Sequence, residues 1–133
     1  MISNTLRLNA SNKKSYNNYN IFGTHGARGG GRTTGSVANT ISDLAKICCN
    51  ADLYLKSHTH QSVMFPEDVY EVTESGKLKS HTKMFFNSNA FLFYGGYAQV
   101  AEYKPSNTDI GVIRVQAIRD KEGMRFLTSL NYI

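Results

Sequence analysis

The sequence contains no apolar run near the roughly 18 residues that a membrane-spanning helix requires. At 41% apolar and 19% charged residues it also lacks the polarity of a disordered chain. Its 133 residues are expected to form one soluble domain around a core of their own. Residues 1–15 hold no apolar segment between a basic flank and a small-residue cleavage site, so no signal peptide is expected and the cytoplasm is the expected location. Cysteine is scarce: Cys48 and Cys49 are sequence neighbours, which excludes a secreted disulfide scaffold and points to free, buried thiols. Acidic residues are missing altogether before Asp43, whereas Arg7, Lys13, Lys14, Arg28 and Arg32 precede it. The rest of the chain carries ten basic and ten acidic residues, so the net charge of +5 belongs wholly to the first third. Such a field favours an anionic partner, nucleic acid or a phosphorylated small molecule, and is equally what a solvated basic tail would show.

What is present reads as an α/β (α+β) chain, with one parallel βαβ unit followed by mainly antiparallel strands. Ile2 to Leu8 alternates like an edge strand and is followed by a polar loop. Tyr19 to Gly23 is a short apolar run that stops at Thr24-His25-Gly26 and the tract Ala27-Arg28-Gly29-Gly30-Gly31-Arg32. From Thr34 to Cys49, Val37, Ile41, Leu44, Ala45 and Cys48 recur at spacings of three and four, the pattern of one apolar helix face, with Thr34 or Ser36 as its cap. Asp52 to Lys56 is the next strand, closing at Ser57-His58-Thr59-His60. Strand, helix and strand over about residues 19–57 predict parallel pairing with a right-handed crossover. Beyond His60 the predicted strands are Ser62–Phe65, Val69–Thr73, Thr82–Asn87, Tyr97–Glu102, Gly111–Arg119 and Met124–Tyr132, the last two joined by a four-residue turn at Asp120 to Gly123.

The carboxyl ends of parallel strands lie on one side of a sheet, where open α/β folds bind ligands. His25 and the His58/His60 pair are therefore expected to emerge together, as three imidazoles suited to a divalent metal. His81 reads as a surface residue. The glycine-rich tract precedes a helix, where backbone N–H groups and the helix dipole can hold an anion. It is neither a Walker A loop nor a dinucleotide-binding fingerprint.

Tyr19 to Gly26 with His25, followed by Lys56-Ser57-His58-Thr59-His60, resembles the last two metal-binding motifs of the calcineurin-like metallophosphoesterases. Asn87 to Phe91, and Tyr97-Ala98-Gln99 through Gly111-Val112-Ile113, resemble the strands that close those domains, so the resemblance covers most of residues 19–120. It implies a phosphoester hydrolase domain, a phosphatase or phosphodiesterase, in which His25 and His58 ligate one metal and His60 the other. The complete domain would be binuclear, with Mn, Fe, Zn or Ni as its ions. Arg28, Arg32, Gly29 and Gly30 are candidates for phosphate binding on physical grounds. Ser57 stands where the motif has glycine. The earlier Asp-x-His, Gly-Asp-x-x-Asp and Gly-Asn-His-Asp/Glu motifs do not occur, so the chain resembles the C-terminal half of such a β-sandwich. On that reading residues 1–133 are a partial phosphoesterase domain, inactive or incomplete alone, whose partners are a phosphorylated substrate, nucleic acid among the possibilities, and either an N-terminal half or a second copy.

Two rival readings remain. A basic nucleic-acid-binding module would use the first third of the chain with Tyr16, Tyr19 and Tyr54 as stacking groups. A cupin-like metal-binding β-fold fits less well, because six residues separate His60 from Glu67 and a helix precedes the histidines.

Overall fold

The computed structural model describes residues 2–9, 16–26, 33–59, 61–88, 100, 111–120 and 123–132. Its elements run β1 (Ile2–Asn9), β2 (Tyr16–Thr24), α1 (Thr34–Ser42), α2 (Leu44–Ile47), β3 (Leu53–Lys56), β4 (Val63–Val72), β5 (Leu78–Asn87), β6 (Gly111–Asp120) and β7 (Gly123–Tyr132). The first five strands form one sheet in the order β1-β2-β3-β5-β4, and β6 and β7 form a separate antiparallel ribbon. β2 and β3 are parallel, as the βαβ reading requires, and β3 is parallel to β5 as well. The pairings β1 with β2 and β4 with β5 are antiparallel.

The helical segment is divided. α1 ends at Ser42, Asp43 forms a turn, and α2 continues for one further turn, where the spacing predicted a single helix to Cys49. Its cap is Thr33 and not Thr34 or Ser36: the Thr33 hydroxyl accepts from the Ser36 backbone N–H at 3.3 Å, while the Ser36 hydroxyl returns a bond to the Thr33 carbonyl at 2.7 Å. The periodic positions nonetheless face inward. Val37 and Ile41 are fully buried and Leu44 nearly so, packed with Phe22, Ala51, Tyr54 and Phe85.

Register arranges the aromatic part of this core. Phe22 pairs with Tyr54, Tyr54 with Phe85, and Phe85 with Phe65, so four neighbouring strands each contribute one ring to a single transverse row under the helix. Tyr54 and Phe85 stack at 4.8 Å and Phe85 and Phe65 at 5.2 Å, while Phe22 meets Tyr54 edge-on at 6.3 Å. Side chains alternate across a sheet, so the neighbouring positions Tyr19, Ile21, Leu53, Leu55 and Phe86 occupy the other face. The β6–β7 ribbon docks on that face through Tyr19, whose ring lies 4.7 Å from Phe126 and whose hydroxyl bonds Thr128.

Several expected boundaries shift. Ser62–Phe65 and Val69–Thr73 are one strand, β4, which runs through Pro66; an edge strand tolerates a residue without an N–H. β6 and β7 pair as far as Asp120 with Gly123, which shortens the connection from four residues to two. His81 lies within β5, half-buried, with Nδ1 3.8 Å from Glu71. The thiols of Cys48 and Cys49 are free, but Cys48 is half-buried and Cys49 exposed, because both follow the last turn of α2 and precede the buried Ala51. The expected strand Tyr97–Glu102 falls outside the described residues except for Val100. No helix among the described residues is long and apolar enough to cross a membrane.

Candidate functional site

Two strand ends and two short loops build the site. The start of β3 is pinned to β2: the Asp52 carboxylate accepts the Asn20 backbone N–H at 2.7 Å, and the Asp52 N–H returns a bond to the Asn20 carbonyl at 2.8 Å. With the start of β3 tied to the middle of β2 and the strands parallel, Thr24 pairs with Lys56, and both strands stop at the same level. His25 and Ser57 are the next residues of each. The imidazoles of His25 and His58 meet there, ring centres 5.3 Å apart and planes inclined at 71°. Both are exposed.

The loops touch at Gly26. Its φ is +84°, and a Cβ at this position would stand 3.1 Å from the Ser57 carbonyl oxygen and 3.2 Å from the Lys56 side chain. Glycine meets both the backbone angle and the approach without strain. His58 itself has φ +82°, a left-handed conformation that costs a residue with a Cβ about 1–2 kcal/mol. Ser57 ties the two loops chemically: its hydroxyl is 3.0 Å from His25 Nδ1 and 3.0 Å from the His25 carbonyl oxygen. On the other side, fully buried Asn87 at the end of β5 donates through Nδ2 to Thr59 Oγ1 and to the Gln61 carbonyl, each at 2.6 Å. Asn87 thereby grips the residues flanking position 60.

A cavity of about 470 Å³ opens beside His25 on the face away from the helix. Its floor is Ile21, Gly23, Leu55 and Phe86, and its rim Thr24, His25, Lys56, Ser57 and Ser88. Burial pushes the Lys56 ammonium below the ordinary lysine value, with Asp43 acting weakly in the opposite sense.

Of the predicted site residues, the structure brings His25 and His58 together. His60, Arg28, Arg32, Gly29 and Gly30 lie outside the described residues. Two neighbouring imidazoles are donors of the type that divalent metals take. Nitrogen–metal bonds of about 2 Å place two imidazole rings on one ion with centres about 5 Å apart, and the second nitrogen of a ligating histidine is usually held by a hydrogen bond, as Ser57 holds Nδ1 of His25. Among the described residues no group of three or more His, Cys, Asp or Glu side chains is assembled to hold an ion. Tyr19 and Tyr54, the candidate stacking groups for nucleic acid, are 6% and 0% exposed and serve the core instead; the Tyr16 side chain lies outside the described residues. Ser57, Asn87 and Lys56 were not singled out as site residues from the sequence, since each acquires its place through a neighbour more than 25 positions away. No family model, no curated protein and no solved structure matches the chain.

Proposed function

We propose that the chain is the C-terminal portion of a metal-dependent phosphoester hydrolase, carrying the metal-binding histidines and requiring a second polypeptide, an N-terminal half, for activity. The observation that carries this reading is the delivery of His25 and His58, by parallel neighbouring strands, to one sheet edge with their rings 5.3 Å apart.

On this reading His25 and His58 hold one divalent ion and His60 contributes to a second. Bound ions of this kind polarise a phosphoryl oxygen and generate hydroxide from water at neutral pH. The protein's own residues bind and orient. Ser57 and Asn87 fix the two histidine-bearing loops, and Lys56 places a cationic stem at the rim of the cavity beside His25. Arg28, Arg32, Gly29 and Gly30, which follow β2 in the sequence, would add phosphate contacts. The missing bridging carboxylate is assigned to the second polypeptide. The basic first third of the chain suits a phosphorylated substrate, including a nucleic acid.

The test has two stages. Titration calorimetry of the full chain with Mn, Zn and Ni should give weak binding, reduced at least tenfold in His25→Ala and in His58→Ala. Mixing the chain with a candidate N-terminal half and Mn should release a chromogenic phosphodiester's leaving group, with neither chain active alone. Affinity unchanged by both substitutions overturns the metal assignment. Salt-sensitive oligonucleotide binding without any metal effect would favour the nucleic-acid-binding module.

A further inference from the structure

Ser57 does more than join two loops. Its hydroxyl owns a single proton and lies 3.0 Å from two groups, the His25 carbonyl oxygen and His25 Nδ1. A carbonyl oxygen can only accept, so the contact to it takes the serine proton. The serine oxygen is then left with lone pairs alone to offer Nδ1, and the bond between them requires a hydrogen on Nδ1. A neutral imidazole with its proton on Nδ1 has its free lone pair on Nε2.

We propose that Ser57 is a positioning residue that holds His25 in the Nδ1–H tautomer and so presents Nε2 as the metal-binding atom. The proposal rests on the reading of His25 and His58 as a metal site and adds to it which nitrogen binds and what selects it. The backbone keeps the two partners close. Gly26, at φ +84°, brings the chain after His25 so near the Ser57 backbone that a Cβ would stand 3.1 Å from its carbonyl oxygen, which keeps the two loops close beside the hydrogen bond. His58 is the next residue after Ser57, and its ring lies 5.3 Å from that of His25, inclined at 71°. An alanine at position 57 frees the His25 ring to rotate and to exchange its proton between nitrogens. A threonine keeps the hydroxyl.

The experiment uses the full chain, metal-free and then titrated with Ni and Zn. Long-range proton–nitrogen NMR, recorded at a pH where the imidazoles are neutral, reads the two His25 ring nitrogens separately. The wild type is expected to show a protonated Nδ1 and a bare Nε2, Ser57→Ala a mixture of tautomers, and Ser57→Thr the wild-type pattern. Metal affinity should fall about tenfold in Ser57→Ala and return in Ser57→Thr, the scale expected when a partner of a ligating histidine is removed. A wild-type His25 carrying its proton on Nε2, or a Ser57→Ala chain with both tautomer and affinity unchanged, overturns the proposal while leaving the metal site standing. If the tautomers behave as expected but neither the wild type nor His25→Ala binds metal differently, the metal site fails, and with it the ligating role of Nε2.

Discussion

The Gly26 backbone runs so close to Ser57 that a Cβ on the glycine would meet the serine carbonyl oxygen at 3.1 Å. That approach, together with φ +84°, makes Gly26 the residue on which the meeting of the two histidine loops depends. Gly26→Ala should destabilise the chain by about 1–2 kcal/mol, read as a lower urea midpoint. It should also weaken metal binding, since the loop after β2 must move away from Ser57. An Ala variant with an unchanged urea midpoint and unchanged affinity would show that the contact matters to neither.

Tyr54 predicts an alkaline limit to stability. Burial pushes its phenol up to about 12 from the ordinary value of 10, and its hydroxyl donates to the Cys48 carbonyl. Between those two values the folded chain keeps a proton that the unfolded chain has lost. The contribution is complete below pH 10 and disappears as pH rises through 12. Urea midpoints of the wild type should therefore decline across this window more steeply than those of Tyr54→Phe. At neutral pH the same substitution should cost about 1 kcal/mol for the lost hydrogen bond. Parallel pH profiles would remove the assignment.

Asn87 donates in two directions from one amide, and a carboxylate cannot. Asn87→Asp places an acceptor against the Gln61 carbonyl in a fully buried position. The expected loss is about 3 kcal/mol, or uptake of a proton by the new carboxyl. Hydrogen exchange should show accelerated opening between residues 57 and 63 before the rest of the sheet. Uniform exchange across the sheet would count against the clamp.

The helix face offers a matched pair of substitutions. Ile41 is fully buried and Ile47 is 61% exposed, although both are isoleucines of the same helical segment. Ile41→Ala should lose about 2–5 kcal/mol, and Ile47→Ala about 0.5 kcal/mol or less. Comparable losses at both positions would mean that Ile41 does not face the core.

The sequence made some of this visible and concealed the rest for identifiable reasons. Val37, Ile41 and Leu44 announce their face because helical periodicity is a local property. The emergence of His25 and His58 at one edge followed from the parallel pairing that a strand, helix and strand impose. The aromatic row was hidden, since nothing near Phe22 in the sequence indicates that it lies opposite Tyr54, or Tyr54 opposite Phe85. Those neighbours are set by the register of strands far apart in the chain. Tyr19, between two asparagines, resembles a surface group until its cross-strand neighbours enclose it, and Tyr54, between two leucines, is buried by the stacked ring of Phe85 and by α1, which lie far from it in the sequence. Ser57 could be read only as a departure from a glycine, because its partner is 32 positions earlier.

Pro66 has a consequence for how the sheet meets other molecules. β4 and β1 are the two outer strands, and an outer strand with open hydrogen-bonding groups recruits foreign chain. β4 interrupts its row of donors at Pro66 and follows it with the exposed carboxylates of Glu67, Asp68 and Glu71, so an approaching strand meets a missing N–H and a run of negative charge. That rim is protected against accretion. Among the described strands β1 is the opposite outer strand, and its residues Ile2–Asn9 include neither a proline nor an acidic side chain.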